Sequence, residues 1–231
     1  MFGRLRLIKK LASDKQLDAL LVSSLPNIRY LTGFAGSSGL LLLLAEEVCL
    51  FTDFRYKEQV KEETTGCSIS IVKRSLLEDL AASKLLKGRK RLGFESQHLP
   101  VANHTRLRDL LPKIELVPCE GLVESLRLKK ESKEIEKLSM ACSITDSVFK
   151  QVLGFIRPGI RELEVAAEIE RLFKLKGGSG PSFPTIVASG PRSALPHAAS
   201  TQKKIASGDL LLFDMGAVYD GYCSDLSRTV V

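Results

Sequence analysis

The sequence predicts an α/β domain followed by a mixed α+β domain, and three observations carry that prediction. Apolar runs of strand length alternate with amphipathic stretches of helix length through residues 1–123. A densely charged segment, Ser125 to Lys137, then interrupts the pattern. From residue 130 on, a long helical stretch leads to a closing hairpin marked by Asp220-Gly221.

In chain order, Leu5 to about Leu17 has helical periodicity, and Ala19 to Val22 is a buried strand punctuated by Pro26-Asn27. Tyr30 to Phe34 leads into a Gly-Ser turn. Leu40 to Leu44 and Val48 to Thr52 form a hairpin across Glu46-Glu47. Arg55 to Glu63, Leu76 to Leu86 and Val101 to Leu111 read as helices, and Ser68 to Val72, Arg91 to Glu95 and Ile114 to Pro118 as strands. A long helix, about Lys130 to Phe155, carries apolar residues near helical spacing and is broken by Arg157-Pro158-Gly159. The next, Glu162 to Lys176, is stopped by Gly177-Gly178.

Composition narrows the classes of function. With 44% hydrophobic residues the chain can build a core and does not read as disordered. The net charge of +7 is scattered. Its densest spots, Lys84 to Arg91 and Lys129-Lys130, suit mixed-sign helix faces, and no aromatic–basic interleaving marks a nucleic-acid surface. The five cysteines include no Cys-x-x-Cys pair, so they read as small hydrophobes of a reducing compartment. The N-terminus lacks the apolar stretch of a signal peptide, and Leu40 to Leu44 is too short to span a bilayer. A cytoplasmic protein with neither nucleic-acid nor membrane partners is expected. Gly177 to Gly180 follows a helix and lacks the lysine of a phosphate loop.

The chemistry gathers between Leu210 and Val231. An apolar strand carries Asp214, and Asp225 stands eleven positions on, across the Asp220-Gly221 turn. With that turn as a two-residue loop, Tyr219 pairs with Tyr222 and Gly216 with Asp225. Asp214 then projects from the same sheet face as Asp225. Diagonal neighbours of this kind lie roughly 7–8 Å apart, with side chains leaning closer. Gly216 leaves a gap between them that suits two divalent cations about 3.5–4 Å apart. Two solvated aspartates flanking a surface turn fit the same spacing. The apolar flanks weigh toward partial burial of Asp214, and a buried carboxylate needs a partner. His197, preceded by Pro196 and followed by small residues, is expected on an extended segment, whereas His98 and His104 lie in or beside a polar helix.

The string FDMGAVYDGYCSDLSRT resembles the first metal-binding hairpin of the aminopeptidase P, prolidase and creatinase superfamily, the pita-bread metallopeptidases. SFPTIVASGPRSALPHAAS resembles that family's segment with an active-site histidine, and RPGIRELEVAAEIE its Pro-Gly-x-x-Glu loop and helix. LRLKKESKEIEKLSMACSI resembles the helix that opens the catalytic domain. LDALLVSSLPNIRYLTGFAGSSGLLLLL with FTDFRYKEQ resembles the creatinase-type N-terminal domain.

The resemblance implies a creatinase-like α/β domain over 1–123 and, over 130–231, the first part of an α+β pita-bread catalytic domain. It implies a hydrolase acting on peptides at Xaa-Pro bonds, with Asp214 and Asp225 as metal ligands and His197 as the catalytic residue that donates a hydrogen bond to substrate or oxyanion. Two divalent metal ions would be the cofactors, manganese first, with cobalt or zinc as alternatives. The complete enzyme would be a homodimer. The family's remaining His and two Glu ligands have no counterpart up to Val231. The 231-residue chain alone is therefore expected to be inactive and to self-associate through an exposed apolar face around Leu210 to Phe213. The alternative reading is a non-catalytic peptide- or protein-binding module built on the same fold.

Overall fold

The structure is a computed structural model that describes residues 2–231. The chain forms two compact units, the first ending at Lys129 and the second running Lys130–Val231.

In the first unit, β1 (Ala19–Val22), β2 (Leu40–Leu44), β3 (Val48–Thr52), β4 (Ser68–Ile71), β5 (Arg91–Glu95) and β6 (Glu115–Cys119) make one six-stranded sheet in the order β4-β3-β2-β1-β5-β6. β1–β2 and β2–β3 are antiparallel, and β1–β5, β5–β6 and β3–β4 parallel. Every residue of β1, β2 and β3 is buried, because both faces of the sheet are covered. Leu20, Val22, Leu41 and Leu43 pack on one face with α1 (Phe2–Asp14), α2 (Leu25–Thr32) and Val60 of α3 (Gln59–Glu63). Ala19, Leu21, Leu42 and Leu44 pack on the other with α4 (Leu76–Ala82) and α5 (Val101–Leu110). Each buried leucine contributes roughly 1.5–3 kcal/mol by leaving water.

Three elements depart from expectation. The Pro26-Asn27 break is the start of α2: proline there sits in the first helical turn, where its missing N–H costs nothing, and Gly33 closes the helix at φ 93°. Helix α6 (Leu122–Leu128) reaches into the charged segment, with Val123 in the core of the first unit. The expected helix over Arg55 to Glu63 is a 3-10 turn at Phe54–Tyr56 followed by the short α3.

The second unit has two three-stranded sheets under two helices, α7 (Ser132–Leu153) and α8 (Glu162–Leu175). The strands are β7 (Gly180–Pro181), β8 (Ile186–Ser189), β9 (Leu211–Met215), β10 (Ala217–Tyr219), β11 (Tyr222–Cys223) and β12 (Leu226–Val230). They pair antiparallel in the orders β11-β10-β7 and β12-β9-β8. Ile144, Val148 and Val152 of α7 and Val165, Ile169 and Phe173 of α8 pack on Val187, Leu211, Phe213 and Met215. Phe149 and Phe213 meet edge to face at 5.7 Å. Leu211 and Phe213 are thus core residues, and of the expected apolar face only Leu210, half exposed, and the partly buried Leu212 lie outside the core. The strand alternation that puts Phe213 under the helices turns its neighbours the other way.

Candidate functional site

The hairpin is built as its turn chemistry demands. Asp220 and Gly221 have φ values of 46° and 78°, the pair of positive angles that a tight hairpin loop requires. Tyr219 faces Tyr222 and Val218 faces Cys223 in one arm, while Met215 faces Leu226 and Asp214 faces Ser227 in the other. Both arms keep one register, so Gly216 and Ala217 fall opposite Asp225 and Ser224. The Ser224 N–H donates to the Ala217 carbonyl at 3.0 Å.

Helix α7 holds this hairpin at three points. Lys137 Nζ pairs with Asp220 Oδ2 at 2.5 Å. The Tyr222 hydroxyl donates to Glu134 Oε1 at 2.9 Å, and Glu134 Oε2 accepts the Glu131 N–H that opens the helix. Thr145 Oγ1 lies 2.6 Å from Ser224 Oγ, and the Ala217 N–H donates to both hydroxyls. Between the two arms the chain passes from one sheet to the other at Gly216, and the gap expected there is filled. A Cβ on Gly216 would meet the Ser224 carbonyl and the Ser182 hydroxyl.

Asp214 is half-buried on the central strand of its sheet, flanked by Ile186 of β8 and Ser227 of β12. It alternates with Phe213 and Met215, so it lies on the sheet face turned away from the core helices. Ser227 Oγ donates to its Oδ1 at 2.8 Å. Asp225 is exposed where β11 gives way to β12, and neither carboxylate is ion-paired among the described residues. As a donor set they fit a hard divalent cation: oxygen ligands on the two arms of one hairpin, uncommitted to a cationic side chain. Among the described residues no group of three or more His, Cys, Asp or Glu side chains could hold a metal ion.

His197 is exposed and lies in a turn just past a 3-10 helix, Gly190–Ala194, rather than on an extended segment. Its loop returns along the outer edge of β8. There Ser200 Oγ donates to the Thr185 carbonyl at 3.1 Å and accepts the Val187 N–H at 2.8 Å. Both ends of the loop close on Glu162, a fully buried carboxylate at the start of α8. Its Oε1 accepts Ser189 N–H at 2.8 Å and Ser189 Oγ at 2.9 Å. Its Oε2 accepts Thr201 N–H at 3.0 Å and Thr201 Oγ1 at 2.7 Å, with Arg192 Nε at 3.4 Å. Burial pushes the Glu162 carboxyl up, but the hydrogen bonds from Thr201 and Ser189 outweigh it and hold it below the usual range. Lys203 Nζ extends the network to Ser189 Oγ and Asp209 Oδ2, each at 2.7 Å. Glu162 closes the Pro-Gly-x-x-Glu string of the sequence, but an acid in the first turn of a helix ordinarily faces water, so neither its burial nor its partners were legible there. The structure describes no helix long and apolar enough to cross a membrane.

Comparison with known proteins agrees with this architecture. Residues 4–129 match the Creatinase/Prolidase N-terminal domain and residues 136–231 match Metallopeptidase family M24. An uncharacterized peptidase of Bacillus subtilis, YqhT, is 41% identical over 227 residues, covering 98% of this chain and 64% of that protein. The Xaa-Pro dipeptidase of Pyrococcus horikoshii is 34% identical over 232 residues, covering 100% of this chain and 64% of its own length. Among solved structures, an Xaa-Pro dipeptidase from Bacillus anthracis superposes with a TM-score of 0.94 at 36% identity, over 100% of this chain and 64% of that one. The prolidase of Pyrococcus horikoshii OT3 gives 0.91 at 33% identity, over 99% and 65%. The chain thus spans a little under two thirds of the length of these relatives. It belongs to the creatinase/prolidase superfamily, with that family's α/β N-terminal domain followed by part of an M24 metallopeptidase domain.

Proposed function

We propose that this chain carries the first two metal-holding carboxylates of a metal-dependent hydrolase that cleaves peptides at Xaa-Pro bonds. The observation that carries the reading is the single register linking Asp214 and Asp225 across one anchored hairpin, inside a segment that matches family M24. Relatives bearing the names Xaa-Pro dipeptidase and Xaa-Pro aminopeptidase support the substrate class. Residues 1–123 serve as the N-terminal domain of this enzyme type, and 130–231 contribute to its catalytic domain. The metal is manganese by preference, with cobalt or zinc as alternatives; the complete enzyme works as a homodimer in the cytoplasm.

A divalent cation pair would supply Lewis acidity and lower the pKa of water. Asp214 and Asp225 would hold it. Ser227, by engaging Asp214 Oδ1, orients that carboxylate and leaves Oδ2 for a cation. His197 would donate a hydrogen bond to the substrate carbonyl as negative charge grows on it.

Two carboxylates offer about four oxygen contacts, too few to fix a dinuclear centre. The 231-residue chain alone is therefore proposed to bind cations weakly and to leave Xaa-Pro dipeptides uncut. The lack of a third donor among the described residues also favours a second reading, a peptide-binding module without chemistry. Manganese titration followed by electron paramagnetic resonance separates the two. Weak binding to the chain, lost in both Asp214→Ala and Asp225→Ala, supports the metal site. Binding indifferent to both substitutions overturns it. For activity, the chain is extended with the remaining M24 segment of the Bacillus subtilis relative; Xaa-Pro cleavage that Asp225→Ala abolishes is the expected result.

A further inference from the structure

We propose that Glu162 is a positioning residue, whose carboxylate sets the loop that presents His197. The proposal rests on the reading of His197 given above and goes beyond it. Loop 190–201 joins β8 to the segment that returns along its edge, and Glu162 binds the residue flanking each end, Ser189 and Thr201. Arg192, inside the loop, reaches back to Glu162 and also donates from Nη2 to the Ala199 carbonyl at 2.6 Å. One carboxylate thus holds the entry, the exit and one internal point of the loop, while His197 itself points into no packed surroundings and is exposed. A loop whose functional side chain is exposed must draw its order from its ends.

The arrangement also requires a charge-bearing acceptor. Each Glu162 oxygen receives one backbone N–H and one hydroxyl, so both oxygens face donors only at their backbone partners. A glutamine has the same shape, but either orientation of its amide turns an NH2 group toward a backbone N–H that cannot accept. Hydroxyls can rotate to accommodate it, whereas the N–H of Ser189 or Thr201 cannot. The lysine that completes the cluster, Lys203, adds positive charge beside Ser189 and is itself matched by Asp209.

The test uses the 231-residue chain with isotope-labelled histidine. It has three histidines, His98, His104 and His197, so each gives a resolvable imidazole signal and His197→Gln assigns the third. Glu162→Gln is expected to move or broaden the His197 signal and to speed amide exchange across residues 190–201 by roughly tenfold or more. The His98 and His104 signals and the exchange of Leu211–Met215 should stay as in the parent. Thr201→Val, which removes the hydroxyl bond to Glu162 and the bond that hydroxyl accepts from the Lys203 N–H but keeps the Thr201 N–H, should act in the same direction and less strongly; it decides the question by the same readouts should Glu162→Gln fail to fold. An unmoved His197 signal with unchanged loop exchange would overturn the proposal. So would faster exchange spread evenly through α8 and β9, the mark of a purely structural carboxylate. The reading of His197 fails by a different result: His197→Gln leaves cleavage by the extended chain intact, whatever the loop does.

Discussion

Gly216→Ala is the substitution that most directly tests how the hairpin is built. Gly216 has no unusual φ, so its cost is one of space rather than backbone strain. A Cβ there would overlap the Ser224 carbonyl and the Ser182 hydroxyl. The hydroxyl can swing aside, at the loss of its 2.9 Å bond to the Ser224 carbonyl, about 1 kcal/mol. The carbonyl cannot yield so readily, because Ser224 is tied to Ala217 through its own N–H and its hydroxyl. Forcing a methyl into such packing costs about 1–3 kcal/mol. The expected destabilisation is therefore about 2–4 kcal/mol, concentrated in residues 211–230. Amide exchange of hairpin peptides, read as an opening free energy, measures it. Gly154→Ala is the control: its Cβ would meet only the Gln151 carbonyl at 3.6 Å, and the change should be neutral or slightly stabilising. A Gly216→Ala protein within about 0.5 kcal/mol of the parent would show that the hairpin relaxes freely and that its close packing positions nothing.

Two further outcomes follow from the surroundings of particular side chains. All five cysteines are free, but Cys49 and Cys119 are buried and burial pushes both thiols up, whereas Cys142 and Cys223 are exposed; a thiol reagent at neutral pH should modify those two quickly, the half-buried Cys67 more slowly, and Cys49 and Cys119 only on unfolding. The Glu164 carboxyl is lowered to about 2 by the Arg161 side chain, then by the Arg161 N–H, so its share of stability is complete above the ordinary glutamate pKa and is lost as pH falls through about 2. A carboxyl titration by NMR should place its midpoint there, and Arg161→Gln should return it toward the usual value.

Much of this architecture is legible in the residues because the relevant signals are local. The limits of β1, β2 and β3 follow from apolar runs, and the Asp220-Gly221 turn from the need for two positive φ angles. The family resemblance likewise rests on contiguous strings, and the N-terminal domain with a partial catalytic domain is what the structure and its neighbours display. The failures lie where tertiary context decides. Pro26 reads equally as a break or a helix start, and only the helix built after it separates the two. Residues 125–128 look like part of a charged linker until they are seen to continue helix α6, with Leu126 packed against the core of the first unit. The same holds at the site: the Pro-Gly-x-x-Glu string ends on Glu162, but nothing local shows that it is buried while Glu164 is exposed, because its partners lie 27 and 39 residues away.

The five leucines of β2 have a consequence for how the first sheet finds its alignment. Identical side chains buried on both faces give the strand no internal phase: a slip of two residues would present the same surface to α1 and to α4. Alignment must be imposed from the strand's ends. The Leu44 N–H bond to Glu47 O fixes one end, and the Thr52 hydroxyl bond to the Ser38 carbonyl fixes the other. The leucine run therefore works as a lubricated rail with a stop at each end. Substitutions in the short turn at 45–47, or at Thr52, should scramble strand pairing across the sheet more than the loss of any one leucine.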